Sequence, residues 1–292
     1  MTVVDDEAFG TLAPGWFDRA VIGLTRRLPN NWLGLRLAIL FRRAVTTRLP
    51  YPAGALDVER WGLKVRLHPR DNGCEKNLLF TPQMYEPTEL NELGADIAQA
   101  KQQQKPFVFV DIGANVGLFS FFVAAHAGAG ARIFAIEPEP GNQRRLKFNV
   151  GANSALPIKI FPVALSDEAG ELAVELDRRD RGGSRTRKIV GPQTDYVRVP
   201  SQALLQLLQS ERIETVDALK IDVEGFEDVI LNPFFRDAPP QMLPRLIIIE
   251  DCRNSWKADL MSIMADKGYS IAARSKLNFI LRLVRAPAGS AC

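Results

Sequence analysis

Residues 107–117, FVFVDIGANVG, join an apolar strand to a helix through a glycine turn, and few folds accommodate that join. The run from 107 to 112 shows no polar alternation apart from Asp111. A strand of that kind is buried on both faces, as in a parallel sheet covered by helices. Gly113 permits a sharp turn and lets the backbone approach a ligand closely. Gly117 permits close packing of the next helix, whose N-terminus offers free N–H groups. The spacing is GxxxG with an acid before it and Asn115 inside it, whereas a dinucleotide site more often shows GxGxxG to seat a pyrophosphate. Asp111 suits a ligand that carries an ammonium group and no phosphate.

Strands and helices then alternate. Residues 131–137, 158–163, 216–222 and 246–250 read as apolar strands. Residues 117–127, 140–153, 226–231 and 255–267 read as helices. The expected architecture is α/β, Rossmann-like, with a mostly parallel seven-stranded sheet. Residues 269–273 and 279–284 read as an antiparallel hairpin closing it. Ahead of this core, residues 58–60 and 63–67 flank Trp61-Gly62 as a β-hairpin. A polar loop follows over 68–73, and a helix runs over 86–104. Residues 1–52 form a helical extension, 53–292 the main domain, and 166–210 an insertion within it. Inside the insertion, DRRDRGGSRTRK (177–188) has no periodicity. It reads as a mobile loop, either a solvated surface segment or a lid over a second substrate.

The apolar strands end on acids. Glu137 lies about twenty residues past Gly117, where a carboxylate can bind both ribose hydroxyls. Ser166 or Asp167, after the third parallel strand, would lie beside an adenine. Asp222 and Glu250 end the fourth and fifth strands, with Glu224 close by. Acids there are costly to bury without partners, and a catalytic crevice or an ion pair with Lys220 or Arg253 supplies the reason. A ligand with an α-amino group, a ribose and no phosphate fits S-adenosylmethionine.

The series VDIGANVGLFS, AIEPEPGNQRRLKFNV, ALSDEAG and LKIDVEGFEDVIL resembles FkbM-type methyltransferases over about residues 85–250. The resemblance implies a class I S-adenosylmethionine-dependent methyltransferase fold and O-methylation of a hydroxyl on a sugar, glycolipid or polyketide-like molecule. It implies Asp111, Gly113, Asn115 and Gly117 at the methionine part of the cofactor, Glu137 at the ribose and Asp222 near the transferred methyl. Asp222 or Glu250 is the candidate general base, with Glu224 beside them. Nothing in the spacing demands a metal. One departure stands out: Ser201-Gln202-Ala203 replaces the family's Thr-Leu-Asp. Rival readings are a non-catalytic cofactor-binding or membrane-associated domain, and an NAD-dependent oxidoreductase.

The resemblance does not reach residues 1–50. Residues 16–48 show apolar side chains at helical spacing with seven arginines between them. This pair of helices packs on the main domain or a partner chain, or lies on a membrane as a basic amphipathic patch. Self-association and peripheral membrane contact are the corresponding partner expectations. The net charge of +3 is too small to argue for nucleic acid. Three dispersed cysteines without a CxxC pair point to a reducing, cytoplasmic setting. No secretory signal and no spanning segment is read.

Overall fold

The computed structural model describes residues 7–50, 54–175, 185–187 and 196–284. Two helices come first, α1 (Trp16–Thr25) and α2 (Trp32–Thr46), separated at Pro29-Asn30-Asn31. Asn31 caps α2 by accepting from Gly34 N. A hairpin of β1 (Leu56–Arg60) and β2 (Leu63–Leu67) follows. Its turn residues Trp61 and Gly62 both have positive φ, the geometry a two-residue hairpin needs. Arg66 of β2 is fully buried. Its guanidinium meets both Asp57 oxygens at 2.7 and 3.0 Å and also donates to the Glu7 and Ala8 carbonyls.

Next come α3 (Gly73–Phe80) and α4 (Pro87–Gln102). The core strands and helices run β3 (Val108–Ile112), α5 (Leu118–Ala127), β4 (Arg132–Ile136), α6 (Pro140–Gly151) and β5 (Ile158–Phe161). The insertion contributes β6 (Ala164–Ser166), β7 (Gly170–Glu175), β8 (Arg185–Arg187), β9 (Tyr196–Ala203) and α7 (Leu204–Ser210). The core resumes with β10 (Ala218–Ile221), α8 (Glu227–Asp237), β11 (Leu246–Glu250), α9 (Leu260–Asp266), β12 (Tyr269–Arg274) and β13 (Asn278–Leu283).

The main sheet has seven strands in the order β5-β4-β3-β10-β11-β13-β12. β5, β4, β3, β10 and β11 are mutually parallel, and β13 runs antiparallel to both its neighbours. Alternate residues face opposite sides. Phe109, Ile133, Ala218 and Ile248 join a core with α4 and α5, whereas Val110, Phe134, Leu219 and Ile249 join one with α7, α8 and α9. The expected α/β architecture with a closing hairpin is thus present.

Three local readings change. The polar stretch after His68 is followed by α3, a buried helix capped by Asn72, whose Oδ1 accepts from Glu75 N. The insertion is a second sheet, order β6-β9-β7-β8. Within 177–188, the backbone of 185–187 pairs with β7; the rest of the expected loop or lid lies outside the described residues. The last helix starts at Leu260 rather than 255, because Lys257 N and Ala258 N both donate to Asp228 of α8.

α4 is tied to the closing hairpin. Asn278 donates to Glu89, and Arg282 donates to Asp96 and Glu92, each at 2.8 Å. No helix among the described residues is long and apolar enough to cross a membrane.

Candidate active site

β3 and β10 are neighbours, and the chain leaves them toward opposite edges of the sheet, so a crevice opens beyond their carboxyl ends. A cavity of about 320 Å³ lies there, within the size range of small-molecule sites. Its walls come from the glycine turn, the ends of β4, β10 and β11, the start of α3, and Tyr85-Glu86. Val174 of β7 and Leu277 complete them.

The turn is fixed by its own hydrogen bonds. Gly113 N and Ala114 N both donate to the Ile136 carbonyl, and Asn115 N donates to Glu137 Oε2 at 2.7 Å. Gly113 has φ +72°, and a Cβ there would overlap the Asp222 carbonyl oxygen. Only glycine lets β3 and β10 approach this closely at the switch point. Asn115 Oδ1 accepts from Asn72, which ties α3 to the turn. Gly117 (φ +85°) does not line the cavity; a Cβ there would strike Leu146 of α6. Its part is packing.

Seven carboxylates line the cavity: Glu86, Asp111, Glu137, Glu139, Asp222, Glu224 and Glu250. Lys220 is the single cationic side chain among the described lining residues. Asp111 is buried and accepts from Ser120 N and Oγ at 3.1 and 2.6 Å. Lys220 Nζ lies 3.0 Å from Asp222 Oδ2 and 5.0 Å from the Phe119 ring centre. Burial alone would lower Lys220, but Asp222, Asp111 and Glu86 outweigh it and raise it, so the ammonium is held charged. Glu137 accepts from Asn115 N and Glu139 N, yet burial still raises it to about 8. Burial raises Glu250 to about 8 as well, with the Asp222 charge adding to it. Glu250 Oε2 accepts from the Cys252 thiol at 3.2 Å.

The predicted residues Asp111, Gly113, Asn115, Glu137, Asp222, Glu224 and Glu250 therefore converge on one cavity. Ser166 and Asp167 do not. Ser166 ends β6 and Asp167 follows it, Ser166 Oγ donates to Asp167 Oδ1 at 2.8 Å, and neither lines the cavity. Of the two expected ion-pair partners, Lys220 holds Asp222, while Arg253 pairs with Asp251 instead of Glu250. His68, read as a loop residue, is buried against Glu75.

Glu86 was not singled out by sequence reasoning. It stands before Pro87 at the start of α4 with φ +42°, a left-handed conformation unusual for a glutamate. Burial raises it to about 7, against the pull of Lys220. Its side chain makes no cap bond to α4 and lines the cavity instead.

The donor set discriminates between ligands. The N–H groups of Gly113, Ala114 and Asn115 are used inside the protein, so the turn offers no row of donors for a pyrophosphate. The surrounding acids instead favour a cation and hydroxyl donors, which S-adenosylmethionine has in its sulfonium, ammonium and ribose. Asp111 and Asn115 would hold the methionine end and Glu137 the ribose. Asp222, Glu224 and Glu250 place one carboxylate oxygen each within 4.8 Å of one another, as do Glu227 and Glu250 with the Cys252 Sγ, distances compatible with a divalent cation.

This strand order, antiparallel closing hairpin and acid-lined switch-point crevice define a class I S-adenosylmethionine-dependent methyltransferase. The model of the methyltransferase FkbM domain matches residues 111–271, and the chain belongs to that family. Methyltransferase sdnD of Sordaria araneosa is 28% identical over 203 residues, 59% of this chain and 76% of that protein. A 64-residue stretch is 42% identical to the AMB antimetabolite synthetase AmbE of Pseudomonas aeruginosa, covering 22% of this chain and 3% of that one. Among solved structures, the METTL16 methyltransferase domain aligns over 94% of this chain and 98% of its own, with 14% identity and a TM-score of 0.47.

The departure at Ser201-Gln202-Ala203 has a structural meaning. Ala203 is the N-cap of α7, has extended backbone, makes no cap bond and does not line the cavity. An acid at this position caps a helix. Ala203→Asp should raise stability by about 1 kcal/mol in denaturant unfolding and leave cofactor affinity unchanged. A change in affinity without a change in stability would contradict the capping role.

Proposed function

We propose that the protein methylates a hydroxyl group on a small molecule or glycan, with Glu250 accepting the hydroxyl proton. When bound, S-adenosylmethionine supplies an electrophilic methyl group on a sulfonium. The supporting observation is Glu250 itself, a half-buried carboxylate at the end of β11 that holds its proton to about pH 8. A hydroxyl is a weak nucleophile while it keeps its proton, so that proton is drawn off as the new carbon–oxygen bond forms. A carboxylate with affinity for a proton near neutral pH is suited to that task. Asp222 stands beside it, ion-paired to Lys220, and keeps Glu250 basic through its charge. Tyr85, Phe119 and Val174 add apolar surface that limits water at the reacting atoms.

The test is transfer of a labelled methyl group to a panel of hydroxyl, amine and carboxyl acceptors, followed by a pH profile on the best one. Hydroxyl acceptors should dominate. Glu250 must be ionised to act, so turnover should rise about tenfold per pH unit below its value and level off above about pH 8. Transfer to amines alone would reject the acceptor class. A flat profile from pH 6 to 9 would remove Glu250 as base.

A further inference from the structure

We propose that the α1–α2 hairpin seats the protein on an anionic lipid surface. The two helices turn an unusual face outward. On α2, Trp32, Leu33, Arg36, Leu40, Arg43 and Ala44 share one side and are all exposed, Trp32 at 66% and Leu40 at 62%. The opposite side, Gly34, Ala38 and Val45, is buried. On α1, Trp16 (77% exposed), Ala20, Leu24 and, one turn on, Arg27 face outward, while Val21, Ile22 and Thr25 face in. A solvated helix face carries charges of both signs and few large apolar groups. These two carry tryptophan, leucine and arginine, and no carboxylate.

The charge distribution selects the partner. Residues 16–50 hold seven arginines and a single acid, Asp18, so the segment carries +6 while the whole chain carries +3. The remainder is therefore net negative. None of the seven arginines is in an ion pair with an acid among the described residues. Arg36 instead stacks on the Trp32 ring at 4.7 Å, and Arg48 on Phe17 at 4.6 Å. Arginines beside exposed tryptophan and leucine match an interface with anionic headgroups above an acyl boundary. A nucleic acid would match the charge but leave Leu33 and Leu40 without a partner. The hairpin is also fastened to the wall of the cavity. Arg42 Nη1 donates to Asn77 Oδ1 at 3.3 Å, and Asn77 lines that cavity. Arg26 donates to the Leu79 carbonyl, and Gln83 to the Thr25 and Leu28 carbonyls. The seat and the site thus share α3.

Cosedimentation of the full chain with phosphatidylcholine vesicles, with and without phosphatidylglycerol, tests this. Binding should require phosphatidylglycerol and weaken with salt. Arg36→Gln with Arg43→Gln should lower the partition by about fivefold per charge removed. Trp32→Ser with Leu40→Ser should lower it about tenfold or more. All four side chains are exposed, so melting and cofactor affinity should stay those of the unsubstituted chain. That separates a failure of the lipid seat from a failure of the methyltransferase reading. Absence of binding at low salt overturns the proposal, as does full binding by both double variants. Light scattering supplies a second check: a dimer that Trp32→Ser with Leu40→Ser dissociates would make this face a contact between copies and overturn the lipid seat.

Discussion

Glu250→Gln should cut turnover by about 10²–10⁴-fold while cofactor affinity moves less than about threefold. Glutamine keeps the size of the side chain and an oxygen that can accept from the Cys252 thiol, so the end of β11 stays in place. What is lost is an oxygen able to take a proton. The Asp222→Asn variant separates the two neighbouring acids. Removing the Asp222 charge takes away one cause that raises Glu250, so the rising limb of the pH profile should move to lower pH. Labelled-methyl kinetics and calorimetric titration of the cofactor read these effects independently. Near-normal turnover in Glu250→Gln, or a limb that stays put in Asp222→Asn, would sink this division of labour.

Gly113→Ala carries the second large effect. The new methyl group would occupy the space of the Asp222 carbonyl, and the residue would keep a left-handed backbone. The conformational strain costs about 1 kcal/mol or more and the overlap about 1–3 kcal/mol besides. The strain cannot relax locally, because Asp222 N is itself bonded to the Ile112 carbonyl across β3 and β10. Whichever strand shifts, the turn and Asp222 separate, and cofactor affinity should fall about 100-fold or more. Gly128→Ala is the control. Its φ is +76° with ψ −163°, and nothing lies within 4 Å of the added carbon, so only the conformational part, about 1–3 kcal/mol, remains. Equal losses of cofactor affinity in the two variants would show that the close approach to Asp222 is not what matters.

The sheet was legible because its strands are apolar on both faces and bounded by helical periodicity. The four acids at the strand ends were legible for a related reason: Asp111, Glu137, Asp222 and Glu250 interrupt runs that otherwise contain mostly core side chains. Helix α3 was not, because GCEKNLLF is short and lacks an apolar stripe, and is held by Asn72 and by Glu75's ties to Arg145 and His68. The second sheet was hidden because β6 and β8 are only three residues each and β9 pairs with β6 and β7 rather than with β8, the strand before it, so the local pattern is weak. Ser166 was placed by counting from the strand before it, and the chain turns into the second sheet there. Glu86 escaped notice because its part in the cavity depends on a backbone conformation that no composition rule predicts.

The bonds between α4 and β13 bear on how such a chain is made. Glu89, Glu92 and Asp96 lie along one side of a helix, and their partners Asn278 and Arg282 come 186 to 190 residues later. During synthesis from the N-terminus, that helix waits with three carboxylates facing an empty place. Burying them early is costly without a donor. β13 supplies those donors, and so acts as a clasp between α4, ahead of the core, and the last strand of its sheet.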